Sequence, residues 1–430
     1  RRLDGAEMRE RLLERINDFQ GDPLRKASLI NGIDMLMTDN QSVAAYEKTL
    51  ADVEKVTGPD DPRLWNVRYN LAARLVQRTS RYAEGLALTR QVLAWERAHS
   101  PPGSTDPAFT QLVLGEALIG KGEAETREAV EVLMEACAVL NQHAASPHTT
   151  TLPVKGRFLL ATALFRAGRR EEALQMGRDN CVRAVKELGS NHLRTAITYA
   201  RHAVNCREAG LVDEAIATGQ TAMDCFFNST GLLNDWAKEA LRLHAETLLK
   251  HGRREEHLRL MQDAMRVCDQ QFGPVHALTL FRVDACLLAL TNLKRYQEAV
   301  KLGETWISRA RQLDGSLPRS AESLLRHHAY SLRLQRQHQA AERAMRELLI
   351  MSQITQPVSL QHFADLSDLA ESLLILKRPA EALPLLQKVI QAFETRGVEK
   401  PSLTNVELPL AKTRLERAQK ALDPAKTATR

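Results

Sequence analysis

The residues with the most chemical promise in this chain are a histidine and a cysteine. His202 and Cys206 stand four apart, a spacing that puts both on one face of a helix, where imidazole and thiolate can share a metal ion. Two ligands are half a site, and no second pair converges on them in the sequence. Packing in a core is therefore the preferred reading, and no metal is expected. His327 and His328 are adjacent and would point to different helix faces, which leaves His327 at most a surface contact. The arginines say more. Arg201, Arg207, Arg242, Arg326 and Arg333 recur along the chain, and a guanidinium makes paired, charge-assisted hydrogen bonds to carboxylate or phosphate. Nothing reads as catalytic: there is no Gly-rich phosphate loop, GxSxG, HExxH or EF-hand loop. A non-catalytic protein without a cofactor is expected. Trp65, Trp95, Trp236 and Trp306 are dispersed, so they are expected to fill gaps between helices and not to form a platform for stacked bases.

A repeat must position these side chains. Gly168–Ala173, Gly210–Ala215, Gly252–His257 and Lys294–Ala299 are versions of one turn, with their last residues 42 apart. The series continues at Ala341 and Ala382 and runs back to Ala129 and Gly85. Twelve residues before these anchors stand Ala161, Ala203, Ala245, Ala329 and Ala370, with Leu287 as the exception and Ala72 and Gly115 as equivalents in the first two units. A small residue at a fixed place in each helix of a pair means that two backbones approach closely there. Breakers fall between pairs at the same spacing, among them Gly103-Ser104-Thr105-Asp106-Pro107, Gly189-Ser190-Asn191 and Gly273-Pro274. Gly suits a helix end, Asp, Ser or Thr a cap, and Pro a first turn.

The reading is all-α: eight helix pairs at roughly 61–99, 105–143, 149–188, 192–229, 233–272, 275–314, 318–355 and 359–396. Residues 1–57 would hold an amphipathic helix (3–20) and a degenerate pair (24–57), 58–396 the eight pairs, and 397–430 a capping helix (404–421) and a frayed tail. The cap should have a polar outer face, because a terminal repeat has no neighbour on that side. The aromatic content of 5% and the 44% of hydrophobic residues agree with a helical core. The net charge of +6 is interspersed, as in Arg253-Arg254-Glu255-Glu256, which favours a salt-bridged helix surface over a nucleic-acid footprint. Six cysteines form no CxxC pair; small buried thiols are the simpler account, and they lean towards a reducing, cytoplasmic setting. No run approaches 18 apolar residues, so no membrane insertion is expected in this segment.

Asn70-Leu71-Ala72, Gly273-Pro274-Val275-His276, Arg81-Tyr82, Arg295-Tyr296 and Glu381-Ala382-Leu383-Pro384-Leu385-Leu386 together resemble the tetratricopeptide repeat superfamily, in the long variety found in kinesin light chains. The resemblance covers about 58–396 and departs at His257 and Leu287, where a small residue is expected and units five and six could pack differently. It implies a right-handed α-solenoid whose first helices line a concave groove, and a scaffold that binds a protein, a peptide or a flanking segment. Similar arrays occur in bacterial signalling proteins. With a chain that begins at Arg1, this suggests the sensory or regulatory region of something longer.

With the small residue of each first helix as reference, residues two to three before it and one or four after it are expected to face the groove. They are Tyr69 and Asn70; Phe158, Thr162 and Phe165; Arg201 and Arg207; Arg242 and Glu246; Asp284; Arg326, His327, Tyr330 and Arg333; and Asp368 and Glu371. Stacked arginines suit an extended acidic protein or peptide ligand. The competing reading pairs them with carboxylates on neighbouring repeats, and engagement of both Arg242 and Arg326 by adjacent helices would remove the ligand reading. Helical-repeat RNA binding is the alternative function, disfavoured because one-base repeats are shorter. A homo-oligomer stays open.

Overall fold

The computed structural model describes residues 11, 14–16, 21–33, 39–78, 81–142, 151–355 and 359–422. Every regular element among them is a helix. Most of the helix expected over 3–20, and the tail 423–430, lie outside the described residues. The chain forms two compact units, Arg1–Ser229 and Thr230–Arg430. The first contains α1 (Pro23–Ile33), α2 (Asp39–Glu54), α3 (Pro62–Arg78), α4 (Tyr82–His99), α5 (Asp106–Leu118), α6 (Glu123–Gln142), α7 (Leu152–Arg166), α8 (Arg170–Leu188), α9 (Leu193–Glu208) and α10 (Val212–Ser229). The second contains α11 (Asp235–Lys250), α12 (Arg254–Phe272), α13 (Ala277–Asn292), α14 (Tyr296–Asp314), α15 (Glu322–Leu334), α16 (His338–Thr355), α17 (Leu360–Ile375), α18 (Pro379–Arg396) and α19 (Pro401–Leu422). Each unit is an α-solenoid of helix pairs.

One turn closes six of these pairs. Its hinge residue is left-handed at Gly168, Gly210 and Gly252 (φ +83°, +80°, +73°) and equally at Lys294, Arg336 and Lys377 (φ +61°, +60°, +61°). The following amide reaches back across the helix end: Arg169 N to Leu164 O, Arg253 N to Leu248 O, Arg295 N to Leu290 O and Arg378 N to Leu373 O, all at 2.8–2.9 Å. This six-to-one bond satisfies a carbonyl that the helix end would leave unpaired. Glycine adopts this conformation freely, whereas an L side chain there costs about 1–2 kcal/mol. Lys294→Gly and Lys377→Gly should therefore each raise the unfolding midpoint, by about 0.5–1 kcal/mol after the looser unfolded chain is counted. Urea unfolding checks this, and unchanged midpoints in both variants would remove strain at these turns.

First helices begin on side-chain caps at a matching register. Asn234 Oδ1 accepts from Ala237 N at 2.8 Å and Ser359 Oγ from His362 N at 3.1 Å. Where Asp, Ser or Thr was expected, two caps are imidazoles: His192 Nδ1 accepts from Arg194 N at 3.0 Å and His276 Nδ1 from Leu278 N at 3.2 Å. An accepting ring nitrogen carries no proton, so these caps work in the neutral form. Second helices start on an Arg that clasps a Glu three residues on, as in Arg169–Glu172, Arg295–Glu298 and Arg378–Glu381. These clasps are exposed and contribute little to stability.

Close backbone approach is real at the anchors. Ala129, Ala173, Ala299, Ala341 and Ala382 are fully buried. A Cβ added to Gly85 would stand 2.7 Å from Leu75 Cβ and 2.8 Å from Val76 N, inside contact distance. The second unit has one continuous core from Leu258 to Ala418. Leu287, where a small residue was expected, is fully buried in that core beside Val283, Leu290 and Ala299; the larger side chain is accommodated. His257 is half-buried, and burial pulls its pKa down. The closing helix α19 packs Ala411 and Ala418 inward. Its outer face is less polar than expected, because Val406, Leu410 and Leu422 are exposed. All six cysteines are free and buried.

Candidate functional site

The charges expected to face the groove in the second unit are joined from helix to helix. His327 Nδ1 on α15 lies 2.5 Å from Asp284 Oδ1 on α13. Arg326 forks onto Asp365 of α17 through Nε at 2.8 Å and NH2 at 2.9 Å, and NH2 also reaches Glu322 at 2.9 Å. Arg333 meets Asp368 at 2.7 Å, and Asp368 also receives Arg414 of α19 at 3.2 Å. Arg417 closes the series on Glu371 at 2.9 Å. Burial pushes the Asp365 carboxyl up, and the Arg326 guanidinium pulls it back towards the charged form. For Arg326 and Arg333 the competing reading therefore describes the geometry: their partners are carboxylates of the next repeat. Arg242 differs. Its guanidinium reaches Glu239 at 2.7 Å and Glu246 at 3.3 Å, both on its own helix, and its side chain stays 58% exposed.

Apolar side chains remain exposed on first helices of this unit. Tyr330 is 42% exposed, Leu288 43% and Phe281 57%. Phe281 and Leu288 are seven apart on α13 and share a face. Leu288 follows Leu287 as Tyr330 follows Ala329, so the two occupy equivalent places on successive first helices.

In the first unit the expected residues scatter. Phe158 is buried, with Arg194 Cζ 5.8 Å from its ring centre, so it is a core contact. The Asn70 amide donates to Asn66 Oδ1 at 3.5 Å. Arg201 and Arg207 are half-buried on α9. His202 and Cys206 acquire a third donor, Glu214, and the three ligand atoms lie within 4.8 Å of one another. His202 Nε2 is 3.1 Å from Glu214 Oε1 and 3.5 Å from Cys206 Sγ. Both Glu214 oxygens also accept from Arg178, at 2.7 and 2.8 Å, which holds that carboxyl down at about 2. Burial pushes the Cys206 thiol up to about 12. As the structure stands, His202, Cys206 and Glu214 are hydrogen-bonded to one another and, through Glu214, to Arg178.

Residues 159–194 match the tetratricopeptide repeat family. They run from α7 through α8 into α9, and the turn and cap of that stretch recur through both units. That match spans one repeat of the array. Among solved structures the chain is similar to the nearly identical TPR-like repeats of a protein described as a Podosopora anserina kinesin light chain, at 20% identity and TM-score 0.39, over 48% of this chain and 97% of that one. It is similar to the apo form of RapI at 12% identity and TM-score 0.42, over 84% and 98%. It is also similar to a Rap protein complexed with Competence and Sporulation Factor, at 12% identity and TM-score 0.38, over 97% and 99%. No curated protein matches in sequence.

The α3–α4 pair holds a feature that the sequence reading missed. Trp65 and Trp95, taken as dispersed, stack with ring centres 5.2 Å apart and planes at 12°. His99 continues the stack on Trp95 at 4.7 Å, and Arg68 lies 4.5 Å over Trp65. The Trp65 indole donates to Pro59 O at 2.8 Å. Beside the stack, a cavity of about 290 Å³ is bounded by Trp65, Tyr69, Trp95, Glu96, Asp106 and Phe109, with Asn66 and Ser100 at its edge. Burial pushes Glu96 up to about 7; the Thr110 hydroxyl works against this and the Asp106 charge adds to it. Burial likewise pushes the Tyr69 hydroxyl up to about 12. The available signal was Trp95-Glu96, an acid next to a large ring in an amphipathic helix. The stacking partner, 30 positions earlier, carried no mark.

Proposed function

We propose that this tetratricopeptide-like chain is a non-catalytic scaffold that holds a protein or peptide against its first-helix wall, as the sensory or regulatory region of a larger bacterial signalling protein. The observation that carries the reading is the state of the wall in the second unit. Its charges are engaged with one another, while Leu288 and Tyr330 stay open at repeat-equivalent positions and Phe281 stays open on the same face as Leu288. Exposed aromatics on a rigid helical surface are the usual anchors of a protein interface. The preferred ligand is accordingly a segment with apolar anchors, with any acidic group met by Arg242.

Partner capture tests this. Phe281→Glu with Tyr330→Glu should lose, at least tenfold, the partners that the wild-type chain retains, with the unfolding midpoint little changed. Arg242→Glu should weaken the same partners less. Identical capture by all three proteins would move binding to the convex face or the loops. The regulatory clause has its own test: a kinase, DNA-binding or membrane domain encoded upstream of Arg1 supports it, and a natural start at Arg1 with no further domain removes it.

A further inference from the structure

We propose that the cavity between α3, α4 and α5 binds an organic ammonium ion, with Glu96 and Asp106 as its counter-charges and Tyr69 and Phe109 among its aromatic walls. The site does not depend on the wall reading above. Its lining carries two carboxyl groups, four aromatic rings and no basic side chain, in a chain whose net charge is +6. Glu96 Oε2 is shielded from water and makes no hydrogen bond within 3.5 Å among the described residues, the Thr110 hydroxyl being its weak neighbour, a state that costs free energy until a donor arrives. An ammonium group supplies that donor. It also offsets the repulsion between Glu96 and Asp106, and it is attracted to aromatic walls. A neutral molecule of the same shape offers the walls alone.

Two cations beside the stack are held elsewhere. Arg68 lies over Trp65 but is held by Glu54 at 3.0 Å, and His99 stacks on Trp95 with Asp60 4.0 Å away. The groups acting on Glu96 are Asp106 and Thr110 from α5 and Tyr69 from α3, and Tyr69 in turn feels Arg74 and Glu116. Because the cation prefers the ionised carboxylate, uptake of the ligand releases a proton from Glu96. The volume, at the small end for ligand pockets, suits a trimethylammonium head or the end of a lysine side chain.

The test is a titration of the intact chain followed by tryptophan emission and calorimetry. Choline is compared with its neutral isostere 3,3-dimethylbutan-1-ol, and Nα-acetyl-lysine methylamide with the norleucine analogue. Both ammonium probes, or one of them, should perturb the emission while the neutral partners do not. Choline alone would point to a small free ligand, and the lysine compound alone to a side chain of a protein partner. Apparent affinity should be about tenfold tighter at pH 8 than at pH 6, because Glu96 titrates near 7. Glu96→Gln should lower affinity at least tenfold and abolish the pH dependence. Asp106→Asn, at an exposed position, should weaken binding less and serves if Glu96→Gln does not fold. Equal binding of charged and neutral probes, no binding of either ammonium, or wild-type affinity in a folded Glu96→Gln chain would each overturn the site.

Discussion

Arg326→Met should destabilise the second unit by about 3–5 kcal/mol, with Arg326→Met/Asp365→Leu recovering most of the loss. Asp365 is 2% exposed, and its two strongest bonds come from Arg326 at 2.8 and 2.9 Å, with Gln361 adding a weaker one at 3.3 Å. Methionine keeps the stem of the arginine side chain but strands a carboxyl in a site where burial already disfavours its charge. Breaking one half of a buried pair costs far more than the pair contributes, because both ions left water to form it. Removing both halves therefore comes out near neutral. Arg242→Met is the control: its pair is exposed, and the expected change is below about 0.5 kcal/mol. Urea unfolding of the four proteins measures the contrast, and an Arg326→Met chain within 1 kcal/mol of wild type would show that the fork is not structural.

Mild acid should loosen the second unit. His244 and His328 are each 5% exposed, and neither ring nitrogen of His244 nor Nδ1 of His328 has a hydrogen-bond partner among the described residues. The His328 ring fills the notch that Gly303 leaves, as His202 does at Gly177. Burial pulls both His244 and His328 down to about 4 from an ordinary value of 6.5. The charged neighbours are Glu256 and His257 for the first and Arg311 for the second. Above pH 6.5 folded and unfolded chains are both neutral at these rings. As the pH falls, the unfolded chain takes protons that the folded one refuses, so stability declines until the folded rings titrate near 4. Each ring can remove up to about 3 kcal/mol across that window. Unfolding midpoints at pH 7.5 and 5.0 should differ clearly in the wild type and much less in His244→Leu/His328→Leu. A wild type equally stable at both values would mean that the rings are not held neutral.

The array was legible because its signals are local and repeated: a turn every 42 residues, a small residue at each helix contact, a breaker between pairs. Side-chain fates were less legible, because they depend on residues one repeat away. Arg242 and Arg326 look alike in the chain, yet one rests on its own helix and the other on a carboxylate 39 positions later. The left-handed turns show the same limit. Glycine announces them at 168, 210 and 252, whereas Lys294, Arg336 and Lys377 adopt the same conformation under tertiary pressure. The Trp65–Trp95 stack and the Glu96 cavity use side chains that do not recur at the 42-residue step, so the repeat offered no template for them.

The buried thiols carry a consequence of their own. Cys137, Cys181 and Cys206 are pushed up to about 11–12 in the first unit, and Cys286 to about 12 in the second. Alkylating reagents attack the thiolate, so these sulfurs stay silent until the helices around them part. The chain thus contains its own clock for breathing motions: the order in which the thiols are labelled under native conditions ranks the helix pairs by how often each one opens.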